Sequence, residues 1–278
     1  MPECDTIHRA AAALHRALAG HAVVRFESVF PALTRVHDDH PLTAMSVERV
    51  QASGKHLLMH FSGGFVLRTH MRMHGSWHIY RPGERWRQKR RDMRVLVATA
   101  DFEAVGFNIP VAEFIKVDPK HALAKHRVLA KLGPDALADD FDRDEAVRRL
   151  RSRPASLIAD ALLNQQLLAG LGNVFKSEVL FACGINPFVR VAALDDGQLE
   201  RLVDTGRQLL LANVSASPTG LTTYTGSRRT TGRDNPAEQL WVYGRGRLPC
   251  RRCGTSIEVK KHGTDARLTY WCPECQTS

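Results

Sequence analysis

Four cysteines near the C-terminal end constrain this chain more than any other feature. Cys250 and Cys253 form one C-x-x-C pair, and Cys272 and Cys275 form a second. Each pair sits on a tight knuckle and offers two thiolates at one edge, so the two pairs together make the tetrahedral set that suits zinc. A closed set of four thiolates leaves no position for a substrate, and one structural Zn2+ is expected rather than a catalytic ion. The segment between the pairs, GTSIEVKKHGTDARLTYW, reads as a β-hairpin turning at HGTD. Lys260, Lys261 and Arg267 on that hairpin would let it approach nucleic acid. A ribbon used only for folding or for protein contact fits the same spacing. Metal is preferred to disulfides because a reducing cytosol is expected. No apolar run approaches the roughly 18 residues of a membrane span, and the start, MPECDTIHRA, lacks a signal-peptide core.

The rest of the chain divides by pattern. Residues 5–19 (DTIHRAAAALHRALA) read as a helix capped by Asp5 or Thr6 and stopped by Gly20. From about 22 to 118, short apolar runs such as HAVVRFESV, KHLLMHFSGGFVLRTHM, GSWHIYR and MRVLVATADFEAVGFNI alternate with Gly and Asp. They predict antiparallel hairpins in a β-sandwich. The segment RPGERWRQKRR (81–91) is too charged for a core and reads as a solvated loop within reach of a phosphate backbone. An acidic, turn-rich stretch at 133–149 marks a linker. Helices are expected over VRRLRSR, PASLIADALLNQQLLAG, NVFKSEVLFAC and LDDGQLERLVDTGRQLLLANV, and a mobile basic loop over 217–237. The formal charge of +10 favours a polyanionic partner, and nucleic acid is the commonest.

Two further motifs carry chemistry. In LNQQLLAGLGNVFKSEVLF, Gly170 and Gly172 permit a compact double turn, and Asn173 falls where a helix begins. Its side chain and the N–H groups beyond it could hold a phosphate, or Asn173 could be an ordinary N-cap. At the start, loss of Met1 would expose the secondary amine of Pro2. An α-amino group has a pKa near ~7.7–8.0, so a useful fraction is neutral and nucleophilic at physiological pH. Glu3 beside it could act as a general acid. Many chains begin Met-Pro, and that start alone proves nothing.

Taken together, MPE, GKHLLMHF, AGLGNVFKSE, VYGR and the C-x-x-C pairs with ARLTYWCPEC resemble the formamidopyrimidine-DNA glycosylase and endonuclease VIII family. They occur in the family's order along the chain. The resemblance implies an α+β fold with an N-terminal antiparallel β-sandwich and flanking helices. A C-terminal helical domain would follow, with a helix–two-turn–helix and a zinc-finger β-hairpin. The expected boundaries are residues 2–132, 133–245 and 246–278. DNA would bind in the basic cleft between domains.

The resemblance also implies roles. Pro2 would be the nucleophile at deoxyribose C1′ and Glu3 the proton donor. Lys55, in GKHLL on a strand, would contact phosphate and assist β-elimination. Arg267 would bind phosphate beside the lesion and assist δ-elimination. Asn173 would hold a backbone phosphate, and Glu178 would stand near the active site and tune the Pro2 amine. The damaged base must leave the stack to be reached. Met73, flanked by Arg72 and His74 after His70, would fill the space it leaves. Lys131 takes a place where endonuclease VIII enzymes carry arginine. It can neutralise a phosphate without a bidentate fork. The family usually has glycine at position 4, where this chain has Cys4.

The opening MPExDTIHRA and the triplet Arg72-Met73-His74 look more like endonuclease VIII than the 8-oxoguanine branch. The expected activity is therefore a bifunctional glycosylase and abasic-site lyase of base-excision repair. Oxidised pyrimidines come first as substrates, then oxidised purines and formamidopyrimidines, with uracil and abasic sites left open. Damaged duplex DNA is the expected partner, with single-stranded DNA open as a second form. A monomer with no membrane contact is expected, in the bacterial cytosol and nucleoid. The alternative from another class is a catalytically silent, or abasic-site-specific, binder of damaged DNA with the same fold. A zinc-ribbon transcription or RNA-binding factor is a third reading.

Overall fold

A computed structural model of the chain describes residues 3–118, 123–215, 221, 223, 228–263 and 265–277. The chain forms two compact units, residues 1–131 with 217–225, and residues 132–216 with 226–278.

The first unit opens with helix α1 (Cys4–Leu18). Its apolar side chains Ile7, Ala10, Ala11, Leu14 and Leu18 recur at helical spacing and all enter the core. Asp5 and Thr6 lie inside the helix and do not cap it; the N-cap is Glu3, without a side-chain capping bond. Asp5 is spent instead on a buried 2.8 Å ion pair with Arg9, one helical turn away.

Eight strands follow: β1 (Arg25–Ser28), β2 (Val47–Ser53), β3 (His56–Phe61), β4 (Phe65–His70), β5 (Ser76–Tyr80), β6 (Met93–Ala98), β7 (Glu103–Phe107) and β8 (Val111–Lys116). They form two four-stranded antiparallel sheets, ordered β1-β6-β7-β5 and β2-β3-β4-β8. This is the expected sandwich. Helix α2 (Pro31–Asp39), which the sequence reading did not contain, packs between the first and last strands of that run. Central strands β3 and β4 show how the sandwich positions chemistry. Leu57, Met59, Phe61, Phe65 and Leu67 join the apolar core. Alternation then sends His56, His60, Arg68 and His70 to the opposite face of the same sheet.

The segment 81–91 is a loop, as expected, ending in one short 3-10 turn (Arg90–Asp92). Lys55 is not on a strand. Gly54 and Lys55 make the turn between β2 and β3, and the strand begins at His56.

The second unit contains α3 (Arg143–Arg151), α4 (Ile158–Leu163), α5 (Asn173–Cys183) and α6 (Asp196–Ser215). The acidic stretch before α3 includes its cap, because the Asp142 carboxylate accepts the Glu145 N–H at 2.9 Å. α4 is shorter than the continuous helix expected through Gly170. Asn164 ends it, and its side-chain oxygen takes the Gln166 N–H at 3.0 Å. This is a local bond that competes with the helix. α5 ends at Gly184, whose φ of 71° is a left-handed cap. Strands β9 (Glu258–His262) and β10 (Arg267–Trp271) pair as the expected hairpin. Of the 217–237 loop expected to be mobile, residues 217–220, 222 and 224–227 lie outside the described residues. Among those described, no helix is long and apolar enough to cross a membrane.

Candidate active site

In the first unit the site is built where the N-terminal segment meets the β2–β3 turn. Pro2 lies outside the described residues. Glu3 is fully buried, and its carbonyl oxygen accepts the first helical N–H groups, from Thr6 at 3.0 Å and Ile7 at 3.1 Å. Cys4 is also fully buried, and its thiol donates to the Gly54 carbonyl at 3.1 Å. That bond fastens the residue after Glu3 to the residue before Lys55. Cys4 therefore occupies packed space without disturbing the start of α1. Half-buried Lys55 is placed by the turn itself.

Behind Lys55 lies a set of imidazoles held neutral. His56 and His70 meet edge to face, with ring centroids 4.8 Å apart. An Arg68 guanidinium nitrogen is 2.9 Å from His56 Nδ1. A guanidinium can only donate, so Nδ1 must accept and the ring must be neutral. Burial first, then the neighbouring His70 and the Arg68 guanidinium, hold the His56 pKa down to about 3. Burial, Arg72 and Lys55 hold His70 at about 4. Lys55 and Arg72 are therefore each within electrostatic reach of His70.

The turn after His70 projects outward. Arg72, Met73 and His74 are all exposed, Met73 at 56%. A core role for Met73 is excluded by that exposure. Arg72 adopts a φ of 47°, and its N–H donates to His70 Nδ1 at 3.1 Å. Gly75 closes the turn, since a Cβ there would stand 2.6 Å from the Met71 carbonyl oxygen. Behind the turn is a cavity of about 520 Å³, lined by Met73, His74, Trp77, Tyr80, Arg87 and Gln88 among others. Lys131 is exposed on a short 3-10 turn (Leu129–Lys131).

In the second unit, Asn173 is the first residue of α5, and Gly172 is its N-cap. The Asn173 side chain does not cap the helix. Its Nδ2 donates to the Leu268 carbonyl at 2.9 Å, and its Oδ1 accepts from Lys176 Nζ at 2.8 Å. Lys176 is fully buried and also donates to the Thr269 hydroxyl at 2.6 Å. Leu268 and Thr269 belong to β10, so the start of α5 is stitched to the strand that carries Arg267. Arg267 itself forms a surface ion pair with Asp265 at 2.9 Å. Lys176 escaped the sequence reading. The available signal was a charge set among Val174, Phe175, Val179, Leu180 and Phe181 in NVFKSEVLF, whose residues are all buried.

Glu178 is held by a dense set of donors. Its carboxylate is fully enclosed within the second unit. It accepts the N–H groups of Trp241 at 2.8 Å, Val242 at 2.9 Å and Tyr243 at 2.8 Å, and the Thr230 hydroxyl. Burial pushes its pKa up, against four donors that favour the charged form. The residue anchors the segment that leads into VYGR; the Pro2 amine that it was expected to tune lies outside the described residues.

The cysteine set fits zinc. The four sulfurs lie within 4.8 Å of one another, with Cys253 and Cys272 at 3.4 Å and Cys250 and Cys275 at 4.0 Å. Four thiolates about 2.3 Å from a common centre would be separated by similar distances. Cys250, Cys253, Cys272 and Cys275 would thus hold one structural Zn2+.

Comparison with known proteins agrees along the chain. Residues 1–109 match the formamidopyrimidine-DNA glycosylase N-terminal domain, 132–225 the formamidopyrimidine-DNA glycosylase H2TH domain, and 247–277 the zinc finger found in FPG and IleRS. A "Probable endonuclease 8 2" of Streptomyces coelicolor is 39% identical, over 99% of this chain and 94% of that protein. The "DNA-(apurinic or apyrimidinic site) lyase Nei2" of Mycolicibacterium smegmatis is 36% identical over the full length of both chains. The Lactococcus lactis Fpg, solved with DNA containing N7-benzyl-Fapy-dG, superposes with a TM-score of 0.81 at 25% identity, covering 100% of each chain. The chain belongs to the formamidopyrimidine-DNA glycosylase family, on its endonuclease VIII branch.

Proposed function

We propose that this chain excises oxidised bases from damaged duplex DNA, pyrimidines first, and then cleaves the abasic strand as a lyase. The observation that carries the reading is the junction at the N-terminus. Glu3 is buried, and Cys4 ties it to the turn that presents Lys55.

The chemistry follows from the groups. The neutral Pro2 amine attacks C1′ of the damaged nucleotide while Glu3 delivers a proton for base loss and ring opening. The bond from C1′ to the base breaks and an iminium with Pro2 forms. Loss of the C2′ proton then expels the 3′ phosphate, and a second elimination expels the 5′ phosphate. Lys55 and Arg267 hold those phosphates, with Asn173 and Lys131 as further backbone contacts. Met73, between Arg72 and His74, enters the space left by the extruded base, beside His70. Cys250, Cys253, Cys272 and Cys275 would hold zinc at the base of the hairpin that carries Arg267, where it would fasten the fold and take no part in bond making.

A monomer acting on nucleoid DNA in the bacterial cytosol completes the proposal, with single-stranded DNA as a secondary partner. Cys4 is the feature that keeps a catalytically silent binder as the alternative, and the packing of its thiol against Gly54 favours the enzyme over it.

Borohydride trapping tests the reading. Correctly processed protein should form a covalent adduct with duplexes carrying thymine glycol or an abasic site. Pro2→Gly or a blocked N-terminus should reduce or abolish it. No adduct across oxidised pyrimidine, oxidised purine, uracil and abasic substrates would overturn it.

A further inference from the structure

The most charged segment of the first unit has no role in the chemistry above. In residues 81–91 stand Arg81, Arg85, Arg87, Lys89, Arg90 and Arg91 against the single acid Glu84. That is a local excess of +5, half of the chain's formal net charge of +10. All six cations are exposed.

Such a run is ordinarily a solvated tether, but this one is built. Trp86 is packed between Tyr80 and Phe107, with ring centroids 6.4 Å and 5.7 Å away. Its indole N–H donates to Glu103 at 3.1 Å. The Tyr80 hydroxyl accepts the Arg87 backbone N–H at 3.1 Å, and the Glu84 carboxylate accepts that of Arg81 at 2.9 Å. The Arg81 guanidinium lies over the Phe102 ring, 4.4 Å from its centroid. Among the described residues, the loop's cations form ion pairs only from Arg90 to Glu27 at 3.0 Å and from Arg91 to Asp92 at 4.0 Å. Arg85, Arg87 and Lys89 have no acidic partner there. An anchored loop that keeps three exposed cations unneutralised suits a polyanion better than it suits stability.

The cavity gives the loop an address. Arg87 and Gln88 line the same 520 Å³ space as Met73 and His74. The cations thus stand next to the outward turn expected to enter the duplex.

We propose that the 81–91 loop is a further phosphate-binding element of this chain. Its Arg85, Arg87 and Lys89 would contact the sugar–phosphate backbone of the substrate duplex beside the nucleotide that Met73 displaces. The proposal rests on the glycosylase reading and adds a surface to it. The contact reads charge and not sequence, so it should raise affinity for damaged and intact duplex alike.

The test compares salt dependence. Binding to a duplex carrying a tetrahydrofuran abasic analogue is measured over a range of salt for the wild type, the Arg85→Gln/Arg87→Gln/Lys89→Gln variant and the charge-keeping Arg85→Lys/Arg87→Lys/Lys89→Arg variant. Each lost phosphate contact lowers the slope of log K against log salt by about 0.9. The neutralised variant should therefore lose about 2–3 units of slope, and the charge-keeping variant almost none. Lys89→Gln alone should lose about one unit, which keeps the test valid if the triple variant is unstable. Trapping at saturating enzyme should be unchanged in all. Equal slopes in wild type and neutralised variants, with trapping intact, would overturn the loop proposal alone. A wild type that forms no adduct would overturn the glycosylase reading, and the loop proposal with it.

Discussion

The side-chain amide of Asn173 donates a 2.9 Å hydrogen bond to the backbone carbonyl of Leu268. One residue at the start of α5 thereby fixes the strand position next to Arg267. Lys176 completes the link through Asn173 Oδ1 and the Thr269 hydroxyl. Asn173→Ala removes one acceptor from a buried ammonium and one donor from a strand carbonyl. The expected cost is about 1–3 kcal/mol, with weaker DNA binding because Arg267 loses its fixed position. Equilibrium denaturation and duplex affinity measure the two effects. Undiminished values for both would remove the link from the binding machinery.

Cys4 offers a separate test. Its buried thiol fills space against Gly54, where the family usually has glycine. Cys4→Gly empties that space and adds backbone freedom at the first turn of α1, at an expected cost of about 1–3 kcal/mol. The trapping rate should fall with it, because the Glu3 segment loses its tie to the Lys55 turn. Cys4→Ser keeps a donor and should fall less. A Cys4→Gly protein as stable and as fast as wild type would show that the bond positions nothing.

Stability should also fall in mild acid. His56 is held at about 3 and His60 and His70 at about 4, chiefly by burial, against 6.5 for a free imidazole. Below about pH 6.5 the unfolded chain takes up protons that the folded chain refuses. The stabilising contribution is complete above that pH and is lost as pH falls toward 3–4. The urea midpoint should therefore be lower at pH 5 than at pH 7.5, and His56→Gln should flatten the difference. Identical midpoints at both pH values would contradict neutral buried imidazoles.

The sequence makes some of this legible and hides the rest for physical reasons. The zinc set depends on spacing within two short knuckles, and α5 on a mainly apolar segment, NVFKSEVLFAC, that stops at Gly184. Both are local, and both are read directly. β2 and β8 are the edges of their sheet, so VERVQAS and VAEFIK are only partly buried and their alternation is diluted. At the early end of α4 the side chains of Asn164 and Gln165 bond to the backbone around them. The work of Lys176 and Glu178 lies in partners far along the chain, at Thr269 and at residues 241–243. No local pattern announces those pairings.

Metal removal should act on binding through the hairpin. The four thiolates join the two ends of the segment that contains β9 and β10, and Cys250 and Cys272 pack with Phe181, Val242 and Ile257 in one apolar cluster. Folding of such a hairpin is coupled to its metal. Chelation should therefore loosen it, displace Arg267 and weaken duplex binding, while the β-sandwich of the first unit persists. Verified zinc-free protein with unchanged affinity would break the connection between metal and DNA.

Met73 provides the sharpest separation of binding from stability. At 56% exposure it contributes little to the core, and exposed substitutions usually change stability by no more than about 0.5 kcal/mol. Yet the backbone around it is specified on both sides. Arg72 is held in a left-handed conformation by its bond to His70, and Gly75 is required by the approach of the Met71 carbonyl. A turn built this carefully around an exposed apolar side chain suits a wedge into base stacking. Met73→Ala should leave the unfolding midpoint unchanged. It should lower affinity for abasic-analogue duplex and slow base release from a lesion that must be extruded. It should slow strand cleavage much less at a pre-formed abasic site, where no base has to leave the stack. Equal slowing on both substrates would assign Met73 to the chemistry of the sugar rather than to extrusion.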